Sequence, residues 1–309
     1  MNFQQLRIIR ETLRRNFNLT EVANALYTSQ SGVSKHIKDL EDELGVELFV
    51  RRGKRLLGLT EPGKELALIV DRILLDTANI KRLADQFAGS DRGEIVIATT
   101  HTQARYALPG PISAFRKEFP NVHLVLHQGT PKDIAQMLND GTADIGIATE
   151  ALEDTPEHVT FPFYSWHHGI VVPKGHPLES EQPVTLEKVA EYPIITYNEG
   201  FTGRPAIDAA FAAANLSPDI VMVALDADVI KTYVEVGLGI GIVGSMAYEA
   251  NRDSGLTLLE SSHLFPKSTS RIALRRGRFL RGFAYRFLAL CSPDLTEKVV
   301  KEKIASPTD

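Results

Sequence analysis

The chain has 309 residues and a net charge of −5; 43% of its residues are hydrophobic and 24% charged, a composition that excludes a disordered or fibrous protein and allows two or three buried cores. Its single cysteine, Cys291, excludes an intramolecular disulfide and a multi-cysteine metal cage. The N-terminus lacks the apolar core of a signal peptide, and no apolar run approaches the roughly 20 residues that span a bilayer, so we expect a soluble, cytoplasmic protein with no membrane partner.

The charge is unevenly distributed along the chain. Residues 1–58 carry ten Lys or Arg against seven Asp or Glu, which leaves the rest of the chain strongly acidic. A basic segment at the start of an acidic body indicates a polyanionic partner for that segment alone.

The first sixty residues carry signals for three helices. A first helix, ending near Asn16, is predicted by apolar residues at helical spacing: Phe3, Leu6, Ile9 and Leu13. Asn18 followed by Glu21 resembles a capping box at the start of a second helix. Thr28 or Ser29 can cap a third, whose buried face carries Val33, Ile37, Leu40 and Leu44. This order is typical of a helix-turn-helix.

The third helix and the hairpin after it carry polar and basic side chains of the kinds that contact nucleic acids. On the exposed face of the helix we expect base and phosphate contacts from Gln30, Ser31, Ser34, Lys35 and Lys38. The segment LFVRRGKRLLGLT predicts two short strands, a wing with cations at Arg51, Arg52, Lys54 and Arg55. A plain three-helix bundle with a surface hairpin is the alternative. The combination of wing, turn and positive charge favours binding to double-stranded DNA.

The segment NLTEVANALYTSQSGVSKHIKDLEDELGVELFVRRGKRLLGLTEPG resembles the N-terminal domain of LysR-type transcriptional regulators. The resemblance is carried by the pattern A-x-x-L-x-x-S-Q-x-x-V-S-x-x-I-x-x-L-E-x-x-L-G-x-x-L-F. Many members have Pro-Ala after the glutamine, where this chain has Ser31 and Gly32, a difference that bears on half-site preference and not on the fold. The resemblance implies a winged helix-turn-helix domain at residues 1–59, promoter DNA as a partner and, for an activator, RNA polymerase as another.

Residues 60–88 are predicted to form one long linker helix. Its apolar residues alternate spacings of four and three, and from this heptad seam we expect dimerisation through Leu66, Val70, Ile73, Ile80 and Phe87. Packing of the seam against the chain's own body is the alternative. The segment AGSDRG at 88–93 has the composition of a short linker.

From residue 89 onward, strands and helices alternate. The order strand-helix-strand-helix-strand occurs once between EIVIATT and ADIGIAT and again between YPIITY and IGIVG. The apolar segment FPFYSWHHGIVVPKGHP lies between them and is predicted to supply strands that cross from one half to the other. The sequence therefore predicts an α+β multidomain protein whose residues 89–309 form a two-lobed α/β effector domain like that of periplasmic binding proteins. Lobe I is expected at about 93–162 and 267–309, and lobe II at about 163–266.

Neutral hydrogen-bond donors cluster at strand ends that are expected to face the cleft between the lobes. They are Thr99, Thr100, Thr102 and Gln103 after the first strand, Thr149 after the third, and Thr196 and Thr202 at the equivalent strand of the second lobe. Capping needs one hydroxyl per helix, so the clustering favours a small ligand. Helix N-termini and neutral donors suit a permanently ionised group such as sulfate or a carboxylate.

A second resemblance covers nearly the whole chain. The stretches TTHTQARY, HQGTP, IATEAL, GFTGR and DADVIKTYVEVGLGIGIV are similar to the cysteine-regulon activators of the CysB and Cbl type. This similarity implies a homotetramer whose cleft takes sulfate, thiosulfate, O-acetylserine or N-acetylserine and which controls sulfate assimilation and cysteine biosynthesis genes. The family's effector positions correspond in this chain to Thr100, Thr102, Gln103, Thr149, Trp166 and Thr202.

The other motifs in the sequence do not indicate a further functional site. The glycines from Gly237 to Gly241 follow a predicted helix and precede a strand, the reverse of a dinucleotide loop. Asp226 and Asp228 are predicted to cap a helix, and Cys291 is predicted to be a buried thiol. The scattered histidines form no metal set with a nearby cysteine. We therefore expect no catalytic residue, no metal and no cofactor; an enzyme or transport-type binder on the same body is the competing class.

Overall fold

The computed structural model describes residues 1–88, 92–149, 152–153, 155–181, 183–201 and 203–305. The chain forms two compact units, one of residues 1–88 with 277–279 and one of the remaining residues. Among the described helices, none combines the length and the apolar character needed to cross a membrane.

The first unit is a winged helix-turn-helix followed by a long helix. Its elements in chain order are α1 (Phe3–Arg14), α2 (Leu19–Ala25), α3 (Gln30–Leu44), β1 (Phe49–Arg52), β2 (Arg55–Leu59) and α4 (Glu61–Phe87). Strands β1 and β2 pair antiparallel with Arg52 opposite Arg55. Gly53 and Lys54 therefore form the tip of the wing, and Gly53 adopts the left-handed φ of +62° that such a turn needs.

Side-chain caps start these helices where the sequence predicts them. Ser29 accepts a hydrogen bond from the Gly32 N–H at 3.1 Å, and Thr60 accepts one from Gly63. Helix α1 ends at Arg14, slightly before the predicted Asn16, because Asn16 and the next residue take positive φ angles. Local signals therefore set the helix starts to within a residue.

The core of this unit includes part of α4. Val70 is 2% exposed and belongs to the same buried cluster as the apolar residues of α1 to α3, and Leu66 and Ile73 pack against that cluster. Val70 is therefore buried in the chain's own body, the alternative that the sequence left open, and does not face a second chain. Leu66 and Ile73 remain partly exposed and stay predicted dimerisation residues. Ile80 and Phe87 are 69% and 80% exposed and stay predicted dimerisation residues.

Gly63, near the start of α4, lies so close to the wing that it has no room for a side chain. A Cβ atom there would lie 2.0 Å from the carbonyl oxygen of Leu48. We expect Gly63→Ala to lower the free energy of unfolding of this unit by about 1–3 kcal/mol, because the backbone of α4 must move away. Urea denaturation measures the change. The matched control is Gly58→Ala, whose Cβ meets no atom within 4 Å; an equal loss in both variants would contradict the close-contact explanation.

The second unit contains two mixed five-stranded sheets, one in each lobe. Lobe I has strand order β4-β3-β5-β12-β6 and lobe II has β11-β7-β10-β8-β9. The strands are β3 (Gly93–Thr99), β4 (Val122–Gln128), β5 (Ile145–Ala148), β6 (His158–Trp166), β7 (His168–Pro173), β8 (Ile194–Tyr197), β9 (Ile220–Ala224), β10 (Ile240–Gly244), β11 (Leu256–Leu259) and β12 (Ser268–Arg275). The helices are α5 (Pro109–Glu118), α6 (Pro131–Asp140), α7 (Leu186–Val189), α8 (Arg204–Ala213), α9 (Ala227–Glu235), α10 (Gly282–Cys291) and α11 (Glu297–Ala305).

The repeated order of elements gives both sheets the same parallel core. Strand β3 pairs in parallel with β4 and β5, as β8 does with β9 and β10. Each lobe has its own buried cluster. The two-lobed α/β fold predicted from the sequence is therefore confirmed, and the ends of β3 and β8 are equivalent positions.

Two local predictions differ from the structure. Strand β6 pairs with β12 as far as Trp166 opposite Ser268, so lobe I continues to Trp166 and the chain crosses to lobe II at His167, after the predicted boundary. The single helix predicted through Phe115 is divided into a π-helical turn, Gln103–Ala107, and α5. Pro109 begins α5 and has no backbone N–H to continue the hydrogen bonds of the preceding turn, which explains the break.

Candidate functional site

The predicted DNA-contacting residues form one exposed face of the first unit. Eight of the nine are exposed and Ser34 is half-buried. An open groove of about 900 Å³ runs between α3 and the wing, and its lining includes Gln30, Ser31, Ser34, Lys38, Arg51 and Lys54. Lys35, Arg52 and Arg55 lie outside that lining. The structure thus brings the polar face of α3 and two of the wing cations together along one groove, whose lining also includes Glu41, Asp42 and Glu47.

Arg51 has a structural partner that the sequence did not predict. The buried carboxylate of Glu41 accepts hydrogen bonds from the backbone N–H of Leu48 at 2.8 Å and of Phe49 at 3.2 Å, and from the Arg51 guanidinium at 2.6 Å. These bonds tie the start of the wing to α3, and Glu41 offsets the charge of Arg51. Among the described residues no ion pair involves Arg52, Lys54 or Arg55, which leaves their charges available to phosphates.

In the second unit, most of the predicted effector residues surround a single small cavity. Its volume is about 20 Å³, and it is lined by Thr100, His101, Thr102, Gln103, Trp166, Tyr197, Phe201, Leu225 and Gly244. Both lobes contribute, since Trp166 ends β6 and Tyr197 ends β8. The cavity lies between the lobes, where ligands bind in folds of this kind.

One further predicted effector residue, Thr149, lies outside that lining. Thr149 is completely buried and its Oγ1 has no hydrogen-bond partner among the described residues. The Nε1 atom of Trp166, which does line the cavity, is also buried and also has no hydrogen-bond partner among the described residues. Buried donors are nearly always paired, so the Nε1–H of Trp166, which lines the cavity, is available to a ligand there. Thr202 falls outside the described residues.

Thr99 and Thr196, which the sequence grouped with the ligand donors, have structural roles. They occupy the equivalent ends of β3 and β8. The Thr99 hydroxyl donates to the carbonyl of Ile147 at 2.9 Å, and the Thr196 hydroxyl donates to the carbonyl of Ile242 at 3.1 Å. Both side chains are fully buried, so each ties its strand to the neighbouring parallel strand and is not free for a ligand.

Tyr197 is a cavity residue that sequence reasoning missed. Its hydroxyl accepts a hydrogen bond from the Gly244 N–H at 3.0 Å and shares the cavity with Thr102. Burial raises the pKa of Tyr197 to about 12, so the phenol stays protonated and can donate its own hydrogen to an anion. The signal was its position directly after Thr196 at the end of a buried strand.

Behind the cavity, His168 is fully buried and neither ring nitrogen has a partner among the described residues. Gly203 crosses directly over the ring with φ +89°, and a Cβ atom there would lie 2.2 Å from Nε2. Only glycine satisfies both conditions. Burial lowers the pKa of His168 to about 4, so the imidazole is neutral in the native state.

This buried histidine predicts acid sensitivity of the effector domain. The unfolded chain takes up a proton at His168 near pH 6.5 and the native state does so only near pH 4, so stability falls as pH decreases between these values. We expect this residue to contribute a loss of about 2 kcal/mol in unfolding free energy between pH 7 and pH 5. Urea denaturation should show a shallower pH dependence in His168→Asn. The exposed His123→Asn serves as control, and parallel pH profiles for all three proteins would refute the assignment.

A network of ion pairs joins the two lobes at the edge of the cavity. Asp228 lies in the first turn of α9, but it does not cap the helix; Asp226 does, through the Val229 N–H. The Asp228 carboxylate accepts hydrogen bonds from Tyr106 at 2.7 Å and His101 at 3.1 Å, and it pairs with Arg105 at 2.9 Å. All three partners come from the turn after β3.

The same network includes Lys231, one turn further along α9. Its ammonium group is 3.5 Å from Asp228, 2.9 Å from Asp253 and 3.2 Å from the Tyr106 hydroxyl. Burial alone would raise the pKa of Asp228, but hydrogen bonds from Tyr106 and His101 and the charges of Lys231 and Arg105 outweigh it and hold the pKa below its usual range. Asp228 is therefore a carboxylate at neutral pH.

The three side chains His101, Asp226 and Asp228 bring possible metal-ligand atoms within 4.8 Å of one another. Both oxygens of Asp228 already receive donors, two of them cationic side chains. A divalent cation would have to displace Arg105 and Lys231, so the cluster is better suited to joining the lobes than to holding a metal. Cys291 is equally unsuited to chemistry, because burial raises the pKa of its thiol to about 12.

Two family descriptions match the chain over its two units. Residues 3–64 match "Bacterial regulatory helix-turn-helix protein, lysR family", and residues 88–295 match "LysR substrate binding domain". Together they cover both the winged helix and the two-lobed body.

Individual relatives match over nearly their full lengths. The chain is 62% identical over 297 residues to the HTH-type transcriptional regulator SsuR of Burkholderia cenocepacia, covering 96% of each protein. It is 51% identical over 304 residues to CysB of the same organism, covering 98% of this chain and 97% of that protein. The crystal structure of the cofactor-binding domain of the Cbl transcriptional regulator matches with a TM-score of 0.66 and 49% identity, covering 70% of this chain and 95% of that one.

Proposed function

The chain belongs to the LysR family of bacterial transcriptional regulators and is a DNA-binding regulator, not an enzyme; from that premise we propose that it senses a small sulfur-pathway anion and controls genes of sulfate assimilation and cysteine biosynthesis. The effector class we propose is sulfate, thiosulfate, O-acetylserine or N-acetylserine. Its relationship to the regulators SsuR, CysB and Cbl supports a role in sulfur regulation.

The observation that carries the effector proposal is the set of buried, neutral donors at the inter-lobe cavity. Thr100, Thr102, Gln103 and Trp166 converge there, and Thr149 supplies a further buried hydroxyl. Charge-assisted hydrogen bonds from such donors stabilise an oxyanion without requiring a buried cationic partner. We assign the same role to Thr202.

The size of the cavity bears on the mechanism. About 20 Å³ holds roughly one water molecule, so any of the proposed anions requires the lobes or their loops to move. Effector binding would thereby select a different closure of the lobes, change how subunits pack, and alter the spacing and bending of the bound DNA.

The remaining partners are proposals of the same kind. Promoter DNA would contact the α3 face and the wing, and the chain would act in the cytoplasm as a homodimer or homotetramer that engages RNA polymerase. Exposed Ile80 and Phe87 on α4 support self-association through that helix, since two large apolar side chains on one helix favour a covering partner. Identity of 62% to SsuR against 51% to CysB, both from one organism, supports membership of the SsuR branch.

The test uses the chain's single tryptophan. Trp166 lines the cavity, so its fluorescence should change when an anion binds. Purified protein is titrated with sulfate, thiosulfate, O-acetylserine and N-acetylserine in turn. A saturable response to one of them identifies the effector, whereas no response to any of the four would refute the effector proposal and leave the DNA-binding function standing.

A further inference from the structure

The turn that follows β3 contacts both the inter-lobe cavity and lobe II. Thr100, Thr102 and Gln103 line the inter-lobe cavity, while Arg105 and Tyr106, from the same turn, contact α9 of lobe II. His101 takes part in both sets of contacts, because it lines the cavity and is also hydrogen-bonded to Asp228 of lobe II. The effector side chains and the inter-lobe contacts therefore belong to one continuous helical stretch of about two turns.

Part of this stretch is a π-helix, Gln103–Ala107. Such a turn is wider than an α-helix and is uncommon outside functional sites. Here it points Gln103 inward, where its Oε1 accepts a hydrogen bond from Tyr164 at 2.6 Å, and points Tyr106 towards lobe II. A shift of Tyr106 relative to lobe II must therefore move Gln103 in the cavity.

We infer that Asp228 is a positioning residue for the effector site: by holding Tyr106, Arg105 and His101 it fixes the turn after β3 against lobe II and keeps the effector donors in their binding geometry. The inference rests on the proposed function for the identity of the ligand, but its structural part does not. Lys231 completes the arrangement, because it is buried and is held in turn by Asp253 and the Ala247 carbonyl. Asp228 is thus fixed from the lobe II side and can act as an anchor.

The inference predicts how two conservative variants behave. Asp228→Asn keeps the shape of the side chain and removes its charge, and Tyr106→Phe removes a single hydroxyl. Both should raise koff of the effector about tenfold and change kon little, because they weaken the closed state in which both lobes contact the ligand. Combining them should add less than the sum of the two single effects, since both weaken the contact between Tyr106 and residue 228. The control is Glu118→Gln, which breaks an ion pair of 2.6 Å to Arg286 that lies within lobe I alone.

A ligand-independent measurement keeps this test separate from the choice of effector. Trp166 is 7% exposed, so acrylamide should quench its fluorescence poorly in the ligand-free protein. We expect Asp228→Asn and Tyr106→Phe to increase the quenching constant about threefold, because looser lobes admit the quencher, and Glu118→Gln to leave it unchanged.

The outcomes are distinct. Unchanged quenching in both variants would overturn the positioning role, whichever anion binds. An increase equal to that of Glu118→Gln would also overturn it, since general destabilisation would then explain the result. Increased quenching restricted to the two bridging variants, together with a wild-type protein that responds to none of the four anions, would support the positioning role and refute the effector assignment.

Discussion

Reversing the charge of both Arg52 and Lys54 to Glu is expected to lower the affinity for promoter DNA about a hundredfold or more at 0.1 M salt, and to flatten the dependence of affinity on salt by about one unit of slope for each phosphate that the wing no longer neutralises. Both side chains are exposed at the wing, and no ion pair to either occurs in the described part of the chain. Arg51 should contribute less, because Glu41 already holds its guanidinium at 2.6 Å. This is the largest effect we expect on DNA binding.

The measurement is a fluorescence-anisotropy titration of labelled promoter DNA at several salt concentrations. Lys298→Glu with Lys301→Glu provides a matched control, because it changes the net charge equally on α11 of the other unit. If the wing variant and this control lose affinity equally, long-range repulsion and not phosphate binding explains the effect. An unchanged salt slope in the wing variant would contradict the role of the wing.

Replacing Thr102 with Leu is expected to weaken effector binding by at least about a hundredfold, because it removes a hydrogen bond to a charged group and fills a small cavity with an apolar side chain. Thr102 and Tyr197 come from different lobes and line the same cavity, so the larger side chain would also disturb the contact between the lobes there. Affinity for DNA in the absence of effector should be unchanged, since the winged helix is a separate unit.

Trp166 fluorescence measures effector binding, and anisotropy measures DNA binding. Thr102→Ser is the control, because it keeps the hydroxyl and removes one methyl group; we expect it to retain binding within a factor of about five. Loss of DNA binding together with effector binding in Thr102→Leu would show that the variant is misfolded or that the units are not independent. Full effector binding in that variant would remove Thr102 from the site.

Many of the helices and strands could be predicted from the sequence, because they depend on interactions between residues that are close together in the chain. Caps such as Asn18, Ser29 and Asp226 depend on residues within one turn, so their positions in the sequence were sufficient to predict where helices begin. The two passes of alternating strands and helices determined the two lobes in the same way, because a strand buried on both faces must be continuously apolar. The cluster of threonines and Gln103 at one strand end also followed from neighbouring residues.

Tertiary structure alone decided which partner each of these side chains meets. Val70 belongs to a regular heptad seam, yet it packs into its own winged-helix core, because periodicity specifies an apolar face and not what covers it. Thr99 and Thr100 are adjacent in sequence, but the pleat of the strand directs the first to a backbone carbonyl of the neighbouring strand and leaves the second at the cavity. Arg51 and Glu41 are ten residues apart and pair only once the wing folds onto α3.

Asp228 shows most clearly that only the tertiary structure decides which partners a side chain meets. From its sequence position it is a plausible helix cap, and its partners Tyr106 and Arg105 lie more than a hundred residues earlier. No pattern in a single sequence connects them, because a contact between two lobes depends on how the lobes pack and not on spacing along the chain. The sequence by itself therefore predicted the fold class, the order of the elements and a cluster of neutral donors at one strand end, whereas only the packed structure decided which of those donors line a cavity, which tie strands together and which residues hold the two lobes to one another.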